Sequence, residues 1–130
     1  MPRRFIVGER PQLRAYSRAV ITTGGTAIWL AGQTSMHDEH GRSLAGDFAA
    51  QAHGVFRALG QTLEEAGSTL RDIVTMTVFL KDGRFGNEFV EIRKTYFPDG
   101  FPASALVTVT GFARPEALIE IQAVAVIGDS

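Results

Sequence analysis

The segment Ile73 to Lys81 constrains the fold more than any other part of this 130-residue chain. It is rich in β-branched and aromatic residues, and strand alternation puts Ile73, Thr75, Thr77 and Phe79 on one face and Val74, Met76, Val78 and Leu80 on the other. Both faces are apolar or threonine. A strand of that kind lies within a sheet that is covered on both sides. The chain must therefore supply two covers, or recruit one.

The rest of the sequence offers one cover. Asp47 is a good N-cap for a helix over Phe48 to Ala66, where Phe48, Ala52, Val55, Leu59, Leu63 and Ala66 recur at three- and four-residue spacing. Gly67 stands at the C′ position, and Gly60 inside the helix costs about 1 kcal/mol against alanine. A second helix runs from Phe85 to Phe97, with Phe85, Phe89, Ile92 and Tyr96 on one face, and Pro98 and Gly100 stop it.

Strands are expected at Arg3 to Val7, Ala19 to Thr22, Ala27 to Ala31, Ala103 to Val109 and Leu118 to Ile127. Gly24-Gly25 marks a tight turn, so residues 19–31 read as a hairpin. His37 to Gly46 is a polar loop. The order β-ββ-α-β-α-ββ is an α+β arrangement: a mixed sheet of five to six strands with two helices on one face, in a single domain over residues 1–130. The other sheet face stays apolar and uncovered, which predicts a homo-oligomer with sheets packed together.

Composition excludes several function classes. Thirteen basic and 14 acidic residues leave a net charge of −1, which argues against phosphate-backbone binding and hence against nucleic acid as partner. With no cysteine, disulfide frameworks, thiolate zinc sites and cysteine nucleophiles are out. No apolar run reaches the length of a membrane span. No apolar stretch of signal-peptide length follows the basic start Met1-Pro2-Arg3-Arg4, and cytoplasmic is the default reading.

Few residues suggest chemistry on their own. His37 and His40 share a loop with Asp38 and Glu39, but no third ligand is fixed by spacing, so no metal site is assigned. His53 lies on the first helix beside its apolar stripe and reads as half-buried or solvated. No phosphate-binding loop and no nucleophile elbow is present. The last strand is more telling. Glu120 and Gln122 point to one face among strongly apolar neighbours, where a carboxylate without a partner loses hydration and shifts toward proton-transfer chemistry. The same placement also suits an exposed sheet margin or a structural ion pair. Ser104 and Thr108 share a face of the preceding strand and would lie beside Glu120 and Gln122 if the last two strands formed a hairpin. Without a histidine such a cluster is a hydrogen-bonding pocket rather than a hydrolytic triad.

Several motifs, in order, resemble those of one family. They are Ala15-Tyr16-Ser17-Arg18-Ala19-Val20, Ala31-Gly32-Gln33-Thr34, Gln51, Asp72 to Asp82, Phe101-Pro102-Ala103, and Ile119 to Val126. Together they resemble the RidA/YjgF superfamily, also called L-PSP endoribonuclease-like, over nearly the whole chain. The resemblance implies a chorismate-mutase-like fold. It also implies a homotrimer with three inter-subunit clefts for small carboxylate-bearing molecules, and cofactor-free hydrolysis of enamines and imines to 2-oxo acids and ammonia.

In that reading Glu120 handles protons, Tyr16 closes the pocket, the Gly32 backbone helps bind substrate, and Ser104 and Gln122 line the cleft. The family's arginine follows Phe-Pro-Ala directly, and here that position is Ser104. Losing such a charge-assisted partner costs about 1.5–3 kcal/mol. The family's serine falls on Ala31, its helical asparagine on Val90 and the following tyrosine on Arg93. Arg93 and Arg114 are the two cations that could replace the missing charge. The expected function is therefore a RidA-like imine or enamine hydrolase of altered specificity. The alternative is a non-catalytic small-ligand module. A ribonuclease or translation inhibitor fits the charge balance worst.

Overall fold

The structure, a computed structural model, describes residues 3–9 and 11–128; Met1 and Pro2 of the basic start lie outside them. In chain order the elements are β1 (Arg3–Val7), α1 (Pro11–Arg14), β2 (Ser17–Thr22), β3 (Thr26–Gln33), α2 (Phe48–Glu65), β4 (Ile73–Leu80), α3 (Gly86–Lys94), β5 (Ala103–Thr108) and β6 (Ile119–Ile127). The expected strands and two main helices are all present. The single turn α1 has no apolar periodicity and was not foreseen.

The termini of α2 follow from local chemistry. Asp47 is its N-cap, and its carboxylate accepts from the Ala50 amide at 3.0 Å. At the other end Gly67 adopts φ 80°, which puts its amide on the Glu64 carbonyl and the Ser68 amide on the Leu63 carbonyl. Those paired bonds are a Schellman motif, and glycine enters the left-handed region without strain. Helix α3 is shorter than its apolar spacing suggests. A 3-10 turn over Gly83–Phe85 precedes it, and the Thr95 and Tyr96 amides bond back three residues instead of four.

The six strands form one sheet in the order β1-β2-β5-β4-β6-β3. Strand β4 lies inside it, parallel to β5 and antiparallel to β6, as its two apolar faces required. One expected pairing is corrected, and one that the sequence left open does not form. Residues 19–31 do not form a hairpin: the chain turns at Gly24 and Gly25, both at positive φ, but β2 pairs with β1 and β5 while β3 pairs with β6. Nor do β5 and β6 pair, because β4 stands between them. The covering helix α3 carries the chain from β4 to the parallel β5, a connection that hairpin reasoning does not consider.

Three residues join β2 to β3, so their ends are at most about 14 Å apart, whereas four strand spacings in a flat sheet are about 19 Å. The sheet therefore curls. One face packs on α2 and α3 through Leu30, Met76, Val78, Leu80, Ile119 and Ile121, all buried. Ile73 joins that face as well, because a register shift at Val74 reverses the alternation expected for the start of β4. Buried Gln51 fastens α2 to the loops around it. Its amide donates to the carbonyls of Leu44 and Glu116, and its oxygen accepts from the Leu118 amide.

The opposite face has no cover among the described residues. Its residues include Trp29, 79% exposed, with Thr75, Val107 and Gln122.

Candidate functional site

The uncovered face carries Glu120. Its neighbour across the ladder is Phe79 on β4, and Gln122, next along the same face, stands opposite Thr77. Between Leu30 and Gln33, β3 gains one residue relative to β6, a bulge at Ala31–Gly32. The Glu120 side chain folds over that bulge. A Cβ placed on Gly32 would lie 2.5 Å from its Oε2 and 3.1 Å from its Cδ. Glycine is what lets the carboxylate lie this close to the backbone. Glu120 is half-buried and has neither an ion pair nor a hydrogen-bond donor among the described residues. Of the two readings left open by the sequence, the structural ion pair is excluded within the described chain.

Ser104 lies elsewhere. It pairs with Met76 and so points to the helix side of the sheet, whereas Glu120 pairs with Phe79 on the open side. Within one chain Ser104 and Glu120 do not meet. Ser104 instead joins Tyr16. The Ser17 amide and hydroxyl donate to the carbonyls of Pro102 and Phe101 at 3.0 and 2.7 Å, which fastens the start of β2 to the start of β5. Beyond the single pair Ser17–Ala103 the ladder between the two strands stops, a break in pairing that leaves a notch in the ladder along the outer edge of β5. Ala15, buried and at φ 59°, turns the chain out of α1 so that Tyr16 stands at this notch, 40% exposed.

Helix α3 sends Arg93 beneath the notch. Its guanidinium donates to Ser104 Oγ at 2.7 Å and to the Arg14 carbonyl at 2.8 Å. Arg93 is only 2% exposed, and burial pushes its pKa down to about 10, helped by the nearby Arg14 charge and opposed by Tyr16. Its Cζ lies 5.1 Å from the centre of the Phe89 ring, one turn earlier on the same helix. Nothing in the sequence disclosed this contact, because periodicity fixes a helix face but not the strand residue that it meets. Arg114, the other candidate cation, lines a separate depression with His37 and Glu116.

The histidines have local roles. Asp38 accepts from the His40 and Arg42 amides and pairs with the Arg42 guanidinium, which folds the polar loop onto itself. Those bonds hold the Asp38 carboxyl below its usual range, the Arg42 amide contributing most. His53 is exposed and shares a 2.6 Å hydrogen bond with the Tyr96 hydroxyl.

Comparison with known proteins agrees with this architecture. The sequence model of the family described as "Endoribonuclease L-PSP" matches residues 8–127. The chain belongs to that family. This L-PSP family member is 34% identical over 113 residues to the 2-iminobutanoate/2-iminopropanoate deaminase of Homo sapiens, covering 87% of this chain and 80% of the human one. It is 32% identical over 127 residues to the 3-aminoacrylate deaminase RutC of Acinetobacter baylyi, covering 96% and 98%. Among solved structures, the Rid family protein YyfB of Yersinia pestis, of unknown function, superposes with a TM-score of 0.84 at 27% identity, covering 98% of this chain and all of that one. The mixed six-stranded sheet with two main helices is thus the RidA/YjgF fold expected from the motifs. No helix among the described residues is long and apolar enough to cross a membrane.

Proposed function

We propose that the protein is a RidA-like homotrimer that hydrolyses a small imine or enamine carrying a carboxylate or carbonyl group, in clefts between its subunits. The observation that carries this reading is the split site: Glu120 stands uncompensated on the open sheet face, while Tyr16 and Ser104 occupy a notch on the other side of the same sheet. A cleft that uses both halves draws them from different copies. The deaminase names of the human and Acinetobacter relatives support the same chemistry.

In this reading an enamine first tautomerises to the imine, its carbon gaining a proton as its nitrogen gives one up to solvent. Glu120 takes a proton from water as the water oxygen bonds to the imine carbon, the C=N electron pair moves to nitrogen, and Glu120 returns that proton to the nitrogen. The neutral carbinolamine then collapses: its hydroxyl proton passes by way of Glu120 to nitrogen as the C–N bond breaks, which releases the carbonyl product and ammonia. Gln122 and the Gly32 backbone position the water and substrate. General acid–base catalysis of this kind contributes about 10²–10⁴-fold.

The test is 2-oxo acid release from 2-aminoacrylate generated in situ. The wild type accelerates release over buffer, and Glu120→Gln loses about 10²-fold or more of that acceleration. A wild type no faster than buffer removes this substrate from the reading. The departure from arginine to Ser104 favours a second reading, a trimer that holds a ligand without turning it over. That reading prevails if small 2-oxo acids raise the melting temperature of a catalytically silent protein.

A further inference from the structure

Arg93 is the only charged residue among the buried described ones. Its hydrogen bonds go to a serine hydroxyl and a peptide carbonyl, both neutral, and its Nε has no partner. The neighbouring cation Arg14 is held by the neutral Asn87 Oδ1 at 2.9 Å. No carboxylate forms an ion pair with either guanidinium among the described residues. Two like charges gathered around neutral oxygens, one of them desolvated, are unfavourable in the chain alone. An anion would offset that cost.

The hydroxyl marks where such an anion would sit. Ser104 Oγ accepts the Arg93 proton, so its own hydrogen points elsewhere. Among the described residues the one bond it donates is a long one, to the following residue's carbonyl at 3.4 Å. The hydroxyl is therefore a donor polarised by the cation behind it, on the strand edge that faces the notch and beside Tyr16.

We propose that Arg93, acting through the Ser104 hydroxyl and flanked by Arg14, is the anion anchor of this notch and takes the carboxylate of a small 2-oxo or 2-imino acid. The proposal rests on the small-carboxylate reading above. It makes serine at 104 a hydroxyl loaded by a charge rather than the loss of one.

The probe is pyruvate, with neutral pyruvamide as control, titrated calorimetrically into the full chain. The wild type prefers pyruvate by about tenfold or more, equivalent to one charge-assisted contact. Ser104→Ala and Arg14→Gln each lose most of that preference by weakening pyruvate alone, and Arg93→Gln abolishes it. Arg93 is buried, so if R93Q does not fold, the two notch variants decide. A preference for pyruvate that survives both S104A and R14Q overturns the anchor and leaves the cleft reading standing. A wild type that binds neither compound overturns both.

Discussion

At the scale of single residues, the contact between Glu120 and Gly32 separates function from stability. An alanine methyl at position 32 would collide with the end of the Glu120 side chain, not with backbone. The carboxylate can swing aside at small cost, but it then leaves the position from which it would work. Gly32→Ala is therefore expected to lower stability by less than about 1 kcal/mol and to cut 2-oxo acid release by about 10²-fold, the usual penalty for an ångström of misplacement. Thermal unfolding and initial rates on the same sample check both halves. A variant that keeps full rate would show that the carboxylate needs no fixed place. The sequence disclosed part of this site: a lone acid among apolar neighbours is conspicuous, whereas the bulge at Gly32 falls just past the expected strand Ala27 to Ala31. It did not disclose the partnership of Arg93 with Ser104, because that depends on how α3 lies across β5.

At the scale of elements, each strand and both main helices were legible because each is specified locally. Helix α2 is the clearest case, with a capping aspartate, a three-and-four apolar spacing and a glycine stop all in agreement. Asp47→Ala removes the carboxylate that accepts from the Ala50 amide, and is expected to cost about 1 kcal/mol in a urea titration with unchanged slope. An unaltered midpoint would mean that the first turn is held by packing of Phe48 alone. Pairing was less legible than existence. The alternation of β3 states which residues share a face and is silent on whether the neighbour is β2 or β6. Gly24-Gly25 promised a hairpin on local grounds, and the curl of the sheet overrode it. The same silence concealed the place of β4 between β5 and β6, which puts Ser104 and Glu120 on opposite faces.

At the scale of the whole molecule, the open face is what the chain leaves unfinished. Trp29 is 79% exposed at the centre of β3, and Val107 is 39% exposed on the same face of β5, whose outer edge lacks a ladder partner after Ala103. An indole left in water on a strand at the end of the sheet order is a liability for an isolated chain. Covering it removes roughly 160 Å² of apolar surface per copy, worth roughly 4 kcal/mol. A trimer closed over this face would turn that liability into its main source of cohesion. Trp29→Glu tests the idea, because Trp29 does not belong to the buried core and the substitution leaves the chain's own packing largely intact. Light scattering is expected to give three times 14.1 kDa for the wild type and a single 14.1 kDa chain for the variant, with the far-ultraviolet circular dichroism unchanged. If catalysis draws Glu120 from one copy and Tyr16 with Ser104 from another, the monomeric variant also loses 2-oxo acid release, even though every site residue is still present. A variant that stays assembled would place the interface on another surface, and one that is monomeric yet fully active would confine the chemistry to a single chain.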